Sequence, residues 1–472
     1  MTDARAHSPS CNAAHFLVER HRLVGSGART AIIDDAGAWN FDALAAASGR
    51  AAGALHDLGV LPGDRVAVAL PDSREAAAAL IGAMRIGAIA VPIDPSRPAS
   101  VTEAILEDCA PRVVVDRAEL PEGAATRPVA PVRPDDPALI VYTSGTTGRP
   151  KGVVHAHRTF SPALPSYLRD ALGVGPCDRV MAASRTATAL GFFLGLAKPL
   201  AAGATAVLSS VKTAPRTTLD RIARDGVTVF AAVPMHWGQI ASVLRREPDP
   251  QAALRSLRAA LSSGDRMPPG LTAAMSALGC DLLDALGASE CGDVYLAGDG
   301  DGVLAPVTPG VEVRCGARGG RLWVSTPCAA LGYWQRPELT ARLRRGGWTR
   351  TEDVAAHDPD GFRLLGRTDD LFKVGGRLVS PLEIEAALAE HPLVAEAAVV
   401  GSAQRGRVRP AAFVVAAAAG PAAPDLARQL RRHVARRLTP DLAPARVAVL
   451  EELPRLAGGK LDRRALSVAA AA

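Results

Sequence analysis

The chain has 472 residues, 48% apolar and 22% charged, a balance that excludes disorder and fibre and is long enough for two or three domains. A formal net charge of +6 without any long Lys/Arg block speaks against a nucleic-acid partner. No apolar signal core and no charge-free apolar run of spanning length occur, so a cytoplasmic protein with no membrane partner is expected. The first third reads as short apolar strands alternating with helices: a strand at Arg65–Leu70, a helix at Ser73–Ile86, then strands at Gly87–Pro92 and Val113–Val115. That alternation argues for parallel α/β layers. A proline-rich stretch from Leu120 to Pro137 reads as a linker or surface loop.

The alternation continues with strands at Thr205–Leu208, Val227–Ala232 and Leu257–Ser262, and helices at Leu219–Arg224 and His236–Arg246. From Val311 to Leu365 the texture turns to short strands, glycines and turns, such as Gly320–Ser325 and Asp358–Gly361, which suggests a smaller β-rich layer. After Asp370 the chain restarts with helices at Pro381–His391 and Asp425–Leu438, and strands at Ala395–Gly401, Pro410–Val415 and Arg446–Leu450. The expected fold class is α/β. A large N-terminal domain over 1–368 has layered α/β subdomains plus the β-rich layer. A small mobile α+β domain covers 369–472, within the usual size of a domain.

Seven scattered cysteines form no C-x-x-C pair, so neither a disulfide framework nor a structural zinc site is indicated. Of the 54 Lys and Arg residues only five are Lys (Lys151, Lys198, Lys212, Lys373 and Lys460) and the other 49 are Arg. A chain so poor in lysine raises the question of why it keeps these.

The strongest motif is Leu139-Ile-Val-Tyr-Thr143-Ser144-Gly145-Thr146-Thr147-Gly148-Arg-Pro-Lys151-Gly152, an apolar strand running into a loop of hydroxyls, glycines and one lysine. Glycines let backbone N–H groups converge on an anion, hydroxyls donate to phosphate oxygens and lysine supplies a point charge. It is not the G-x-x-x-x-G-K-[ST] loop, because the Ser/Thr residues precede the lysine. A plain polar turn is the competing reading.

This loop resembles the phosphate loop of the adenylate-forming superfamily of acyl-CoA synthetases, free-standing adenylation enzymes and luciferases. Further motifs of that superfamily are resembled in order by Leu286-Gly287-Ala-Ser289-Glu290, Gly347–Asp353, Gly366–Asp370 and Pro454–Lys460. The resemblance runs from about Asn12 to Leu466. It implies ATP, Mg²⁺ and CoA as cofactors. Glu290 would hold the metal, and Lys460, Glu290 and Lys151 would be catalytic. Thr143 to Gly148, Gly264, Asp284, Leu286, Ser289, Asp353 and Arg367 would bind ATP or AMP, with Asp353 accepting both ribose hydroxyls as one carboxylate can. Asp369 would be the hinge on which the small domain rotates, and Lys373, Gly375 and Gly376 would line the passage for the pantetheine arm.

Asn12–Arg20, Lys151–His157 and Phe372–Pro381 resemble aryl-CoA ligases of the benzoate-CoA ligase type. The acid pocket departs from that type. Ser184-Arg185-Thr-Ala187-Thr188-Ala189-Leu190 stands where the family is aromatic, and Glu290 is followed by Cys291, Gly292 and Asp293 where the family has an apolar pair and then His. Arg185, Leu190, His236, Gly287, Cys291 and Asp293 are the expected pocket residues. Smaller walls suit a larger or substituted ring, and an acid at Asp293 suits a ring amine or hydroxyl. A solvent-facing or turn-capping Asp293 is the alternative, as is a core position for His236 and Trp237.

The expected activity is ATP-dependent formation of an aryl-adenylate followed by transfer to the thiol of CoA. A carrier protein replaces CoA in one alternative. An ATP-dependent diazotase and a non-catalytic nucleotide-binding regulator are the others. No oligomeric state follows from the sequence, and a dimer is compatible with it. Three of the five lysines (Lys151, Lys373 and Lys460) fall in these motifs, where a compact ammonium is not replaceable by a planar guanidinium.

Overall fold

The computed structural model describes residues 8–118, 125–143, 150–211, 214–268, 270–300, 302–316, 319–404, 407–417, 423–455 and 461–471. Local signals set many of its elements. Ser73 accepts the Ala76 amide and opens the helix Arg74–Arg85, and Asn40 does the same through the Ala43 amide for Phe41–Asp57. Proline stands in the first turn of Pro215–Asp225, Pro234–Leu244 and Pro381–Ala389, where its missing N–H is harmless. The helices Phe41–Asp57 and Arg74–Arg85 pack so closely that a Cβ at Gly82 would meet Ala51 Cβ at 2.7 Å, so only glycine fits there.

Two large sheets frame the first part of the chain. The smaller has six strands in the order Gly332–Tyr333, Lys151–Ala156, Pro137–Thr143, Ile89–Pro92, Arg65–Val68 and Val113–Val115. Its last four strands are parallel, and Pro137–Thr143 turns back antiparallel onto Lys151–Ala156. The larger sheet has fourteen strands. At its centre Thr205–Val207, Arg179–Ala182, Val229–Ala232, Ala259–Ser263 and Leu282–Ala288 run parallel, and Thr205–Val207, Val229–Ala232 and Ala259–Ser263 are almost wholly buried, as strands covered on both faces are. Leu282–Ala288 then pairs antiparallel with Asp293–Gly298.

The β-rich stretch extends this same sheet. Val303–Pro306 pairs with Asp293–Gly298 on one side and with Gly361–Arg367 on the other, and Trp348–Asp358 and Gly320–Ser325 follow. Beyond Arg367 lie a two-stranded hairpin, Phe372–Val374 with Arg377–Val379, and a three-stranded sheet of Val394–Gln404, Arg407–Ala416 and Arg446–Leu450. The helices Pro381–Ala389 and Ala423–Arg437 cover it. Among the described residues the apolar clusters divide at the same place: five involve only residues up to Phe362, and two only residues from Phe372 onward.

Candidate active site

The turn Ser289–Gly292 joins Leu282–Ala288 to Asp293–Gly298 and carries Glu290 at the end of the parallel strands. Ligands bind at that edge in open α/β sheets. The turn is tight. A Cβ at Gly287 would meet Asp293 O at 2.9 Å, and Gly292 has φ +69°. His155 Nε2 donates to Ser289 O at 2.9 Å, and burial lowers the pKa of that ring to about 3, so it stays neutral. Tyr333 Oη donates to Glu290 Oε1 at 2.7 Å.

A second carboxylate is held in the same way. Tyr295 Oη donates to Asp353 Oδ2 at 3.0 Å, and Asp353 lies opposite Arg367 in the pairing of Trp348–Asp358 with Gly361–Arg367. Burial opposes the charge on Arg367, yet Asp353, Glu290, Asp370 and Glu352 outweigh it and raise its pKa. Glu290, Asp353 and Arg367 therefore belong to one electrostatic neighbourhood. Burial, then Glu290 and Asp353, push the Cys291 thiol well above its ordinary range, and at 1% exposure Cys291 packs with Leu296 and Leu304 as a core residue.

Thr143 and Lys151 face each other at the mouth of the hairpin, with Thr143 Oγ1 at 3.5 Å from Lys151 O. Ser144, Gly145, Thr146, Thr147 and Gly148 lie outside the described residues, as does Lys460. Lys151 makes no ion pair among the described residues. Gly264 follows Ala259–Ser263 with φ +89°, and Asp284 stands opposite Ser262 on the next strand. Burial pushes the Asp284 carboxyl up to about 6, with Arg266 pulling it down. Leu286 lies two residues further along the same strand.

The expected acid-pocket residues divide. Arg185 donates to Ser209 O at 2.7 Å and lines a cleft with Asp72, Asp94 and Pro95. Leu190 is half-buried at the start of the helix Leu190–Ala197. His236 Nε2 meets Thr218 Oγ1 at 2.9 Å, and Trp237 donates to Leu261 O at 2.8 Å with no exposure, so this pair takes the core alternative. Asp293 does not face solvent. Its Oδ2 lies 3.2 Å from Lys198 Nζ, and both side chains are only 5% exposed. It also accepts the Val294 amide at 2.8 Å and the Tyr167 amide at 3.3 Å. The partner that burial of a carboxylate demands is thus supplied by the chain itself. Burial works against the charge on Lys198, but Asp293 and Cys328, whose Sγ lies 3.8 Å away, together outweigh it and raise the lysine pKa.

Asp369, the expected hinge residue, is exposed. Asp369 follows Arg367 in a turn, and Lys373, Gly375 and Gly376 lie on the exposed hairpin, where a Cβ on either glycine would meet nothing within 4 Å. Tyr333, Tyr295, Lys198 and Arg266 are the residues that reading the sequence missed. The chain has only four tyrosines, and their scarcity is the signal that could have found two of them.

One family model, the AMP-binding enzyme, matches residues 20–127 and 116–334, and the AMP-binding enzyme C-terminal domain matches 383–460. The chain belongs to the adenylate-forming, AMP-binding enzyme family. A benzoate–CoA ligase of Thauera aromatica is 34% identical over 96% of this chain and 95% of its own length. The crystal structure of an anthranilate CoA ligase, AuaEII, with anthranoyl-AMP superposes with a TM-score of 0.86 at 28% identity, covering 98% of this chain and 97% of that one. A benzoate CoA ligase from Burkholderia xenovorans LB400 gives a TM-score of 0.87 at 27% identity, covering 97% and 99%. Within the family the chain therefore groups with aryl-CoA ligases.

The donor set also fits the metal this family implies. Among the described residues no group of three His, Cys, Asp or Glu side chains could hold an ion. Mg²⁺ needs no such cage, because one carboxylate suffices when phosphate oxygens and water complete its shell. Glu290, which Tyr333 orients, is the carboxylate that would hold it.

Proposed function

We propose that this enzyme is an AMP-forming aryl-CoA ligase. An aromatic carboxylate attacks the α-phosphorus of ATP and pyrophosphate leaves. The thiol of CoA then attacks the acyl carbon and AMP leaves. The gathering of Glu290, Asp353 and Arg367 at the end of the parallel strands carries this reading. A carboxylate is a poor nucleophile toward a phosphate that is already anionic, so catalysis amounts to positioning and charge neutralisation. In this reading Asp353 accepts the ribose hydroxyls, Arg367 and Lys151 donate to ribose or phosphate oxygens, Lys460 bridges the acid and the α-phosphate, and Glu290 would hold Mg²⁺, which when bound would supply positive charge against the phosphates. Asp284, Gly264 and Leu286 line the nucleotide side. Asp369 is the hinge between domains at 1–368 and 369–472, and Lys373, Gly375 and Gly376 meet the pantetheine arm.

The ring substituent is the finer part of the proposal. A carboxylate offers about four lone-pair sites. Lys198 and the amides of Val294 and Tyr167 occupy three of those on Asp293. The remaining site suits one donor, an amino or hydroxyl group on the ring. Asp293→Ala should therefore lower kcat/KM for amino- or hydroxybenzoate more than for benzoate; equal losses would remove this part of the reading.

A carrier-protein thiol is the second acceptor reading. The helix Ala423–Arg437 favours it, because Arg431, Arg432 and Arg436 are exposed there without an ion pair among the described residues. Such a face suits an acidic partner. Pyrophosphate exchange across a panel of aryl acids, repeated with CoA and with a pantetheinylated carrier protein, tests both. An aryl-CoA product supports the ligase, whereas loading of the carrier alone replaces it with the second reading.

A further inference from the structure

The stretch that directly follows Lys460 is tied to the rest of the molecule on both sides of the domain boundary. Arg463, three residues beyond Lys460, donates to Glu385 Oε1 and Oε2 at 2.7 and 3.1 Å and to Val399 O at 2.8 Å. It also lies 3.6 Å from Asp370 beside the hinge. Glu385 is buried and accepts the Val399 amide at 2.7 Å, so this pair is fixed to the core of the small domain. A bidentate arginine–carboxylate pair sets orientation as well as energy.

The outer side of Glu385 meets the large domain. Arg266 Nη1 lies 4.0 Å from Glu385 Oε2, and the neighbouring Asp265 Oδ2 accepts the Leu461 amide at 3.4 Å. Asp265 and Arg266 directly follow Gly264, at the end of the strand next to the one bearing Asp284. Arg266 therefore stands between a carboxylate of each domain, Asp284 and Glu385, and the contact of Asp265 falls on Leu461, the residue after Lys460 in sequence. The groups facing Arg266 are Glu385, Asp284, Asp265 and Arg463. Burial works against the charge of Arg266 and, with Arg463, outweighs the three acids, so its pKa is lowered and its ion pair with Glu385 matters the more for holding it there.

We propose that Arg266 is a positioning residue, the large-domain docking point that, through Glu385, favours the orientation of the small domain used in adenylation. This rests on the two-step ligase reading. Arg266 touches neither the carboxylate nor the phosphate in that role. It acts by favouring one orientation of the small domain, and contributes to the first half-reaction alone.

The two half-reactions separate this from a merely structural role. Exchange of pyrophosphate with an aryl acid measures the first, and release of AMP from synthetic aryl-AMP with CoA measures the second. Arg266→Ala should lower exchange about fivefold or more and leave the second half-reaction unchanged or faster, and Arg266→Lys should recover part of the loss. Raising the salt should slow exchange by the wild type more than by Arg266→Ala, since a half-exposed ion pair is screened. Equal losses in both half-reactions, or none in either, would overturn the assignment. If the wild type exchanged with no aryl acid, the ligase reading itself would fail. Small-angle scattering of the free protein would still read the dock: Arg266→Ala should broaden the distribution of domain separations, and an unchanged profile would count against it.

Discussion

Lys198 and Asp293 form a pair whose removal has a calculable consequence. At 3.2 Å and an effective dielectric of about 20, two unit charges attract by about 5 kcal/mol. Their desolvation offsets much of that, so the intact pair contributes little net stability, while breaking it leaves one buried charge without a partner and costs roughly 3–5 kcal/mol. Lys198→Met and Asp293→Asn should each show this loss. Asparagine is the better partner variant because its carbonyl oxygen still accepts an amide, whereas an apolar residue would orphan the Val294 N–H. The double variant should regain most of the loss, giving a coupling of about 3 kcal/mol or more. All five tryptophans lie at or before Trp348, so urea unfolding followed by their fluorescence reports on the large domain. Single variants within about 1 kcal/mol of wild type, the range of an exposed ion pair, or additive losses in the double variant, would refute the pairing.

Other consequences are open to simpler assays. Tyr333→Phe leaves Glu290 without its orienting hydroxyl and should raise the Mg²⁺ concentration needed for half-maximal exchange by roughly tenfold; an unchanged Mg²⁺ titration contradicts that role. Asp284 has a folded pKa of about 6, above an unfolded value near ~3.9. Its contribution to stability is thus complete below about pH 4 and is lost as pH rises to about 6, up to roughly 3 kcal/mol. Asp284→Asn should then be more stable than wild type at pH 7 but not at pH 4, and a constant difference in urea midpoint between the two pH values would refute this. Lys460→Arg should lower exchange roughly a hundredfold, whereas Lys212→Arg should leave it unchanged; full exchange by Lys460→Arg would end the explanation of lysine placement.

Local signals were legible in the chain and distant partnerships were not. The apolar runs at Arg65 and Gly87 became parallel strands because burial on both faces is written in consecutive apolar residues, while the run at Val113 became the edge strand with Val114 exposed. The helix expected at Ser73–Ile86 formed as Arg74–Arg85. The β-rich texture after Val311 was equally visible, but nothing local says that Val303–Pro306 joins it edge-on to the parallel sheet. The pairs Tyr295–Asp353, Tyr333–Glu290 and Lys198–Asp293 join residues far apart in sequence, and such contacts leave no spacing to read. One clue was nonetheless present: Lys198 interrupts the otherwise apolar Leu190–Ala202, and a lone charge there requires a buried partner. Asp293 stood out for its type, but its partner could be found only in three dimensions.

The central claim is that the first half-reaction makes an aryl-adenylate and the second an aryl thioester. Incubating the protein with ATP, Mg²⁺, CoA and those aryl acids that support pyrophosphate exchange, and weighing the products by mass spectrometry, tests it most directly. The account predicts AMP and the matching aryl-CoA in equal amounts, both lost in Glu290→Ala. Exchange without any aryl-CoA, from every acid that supports it, would contradict it.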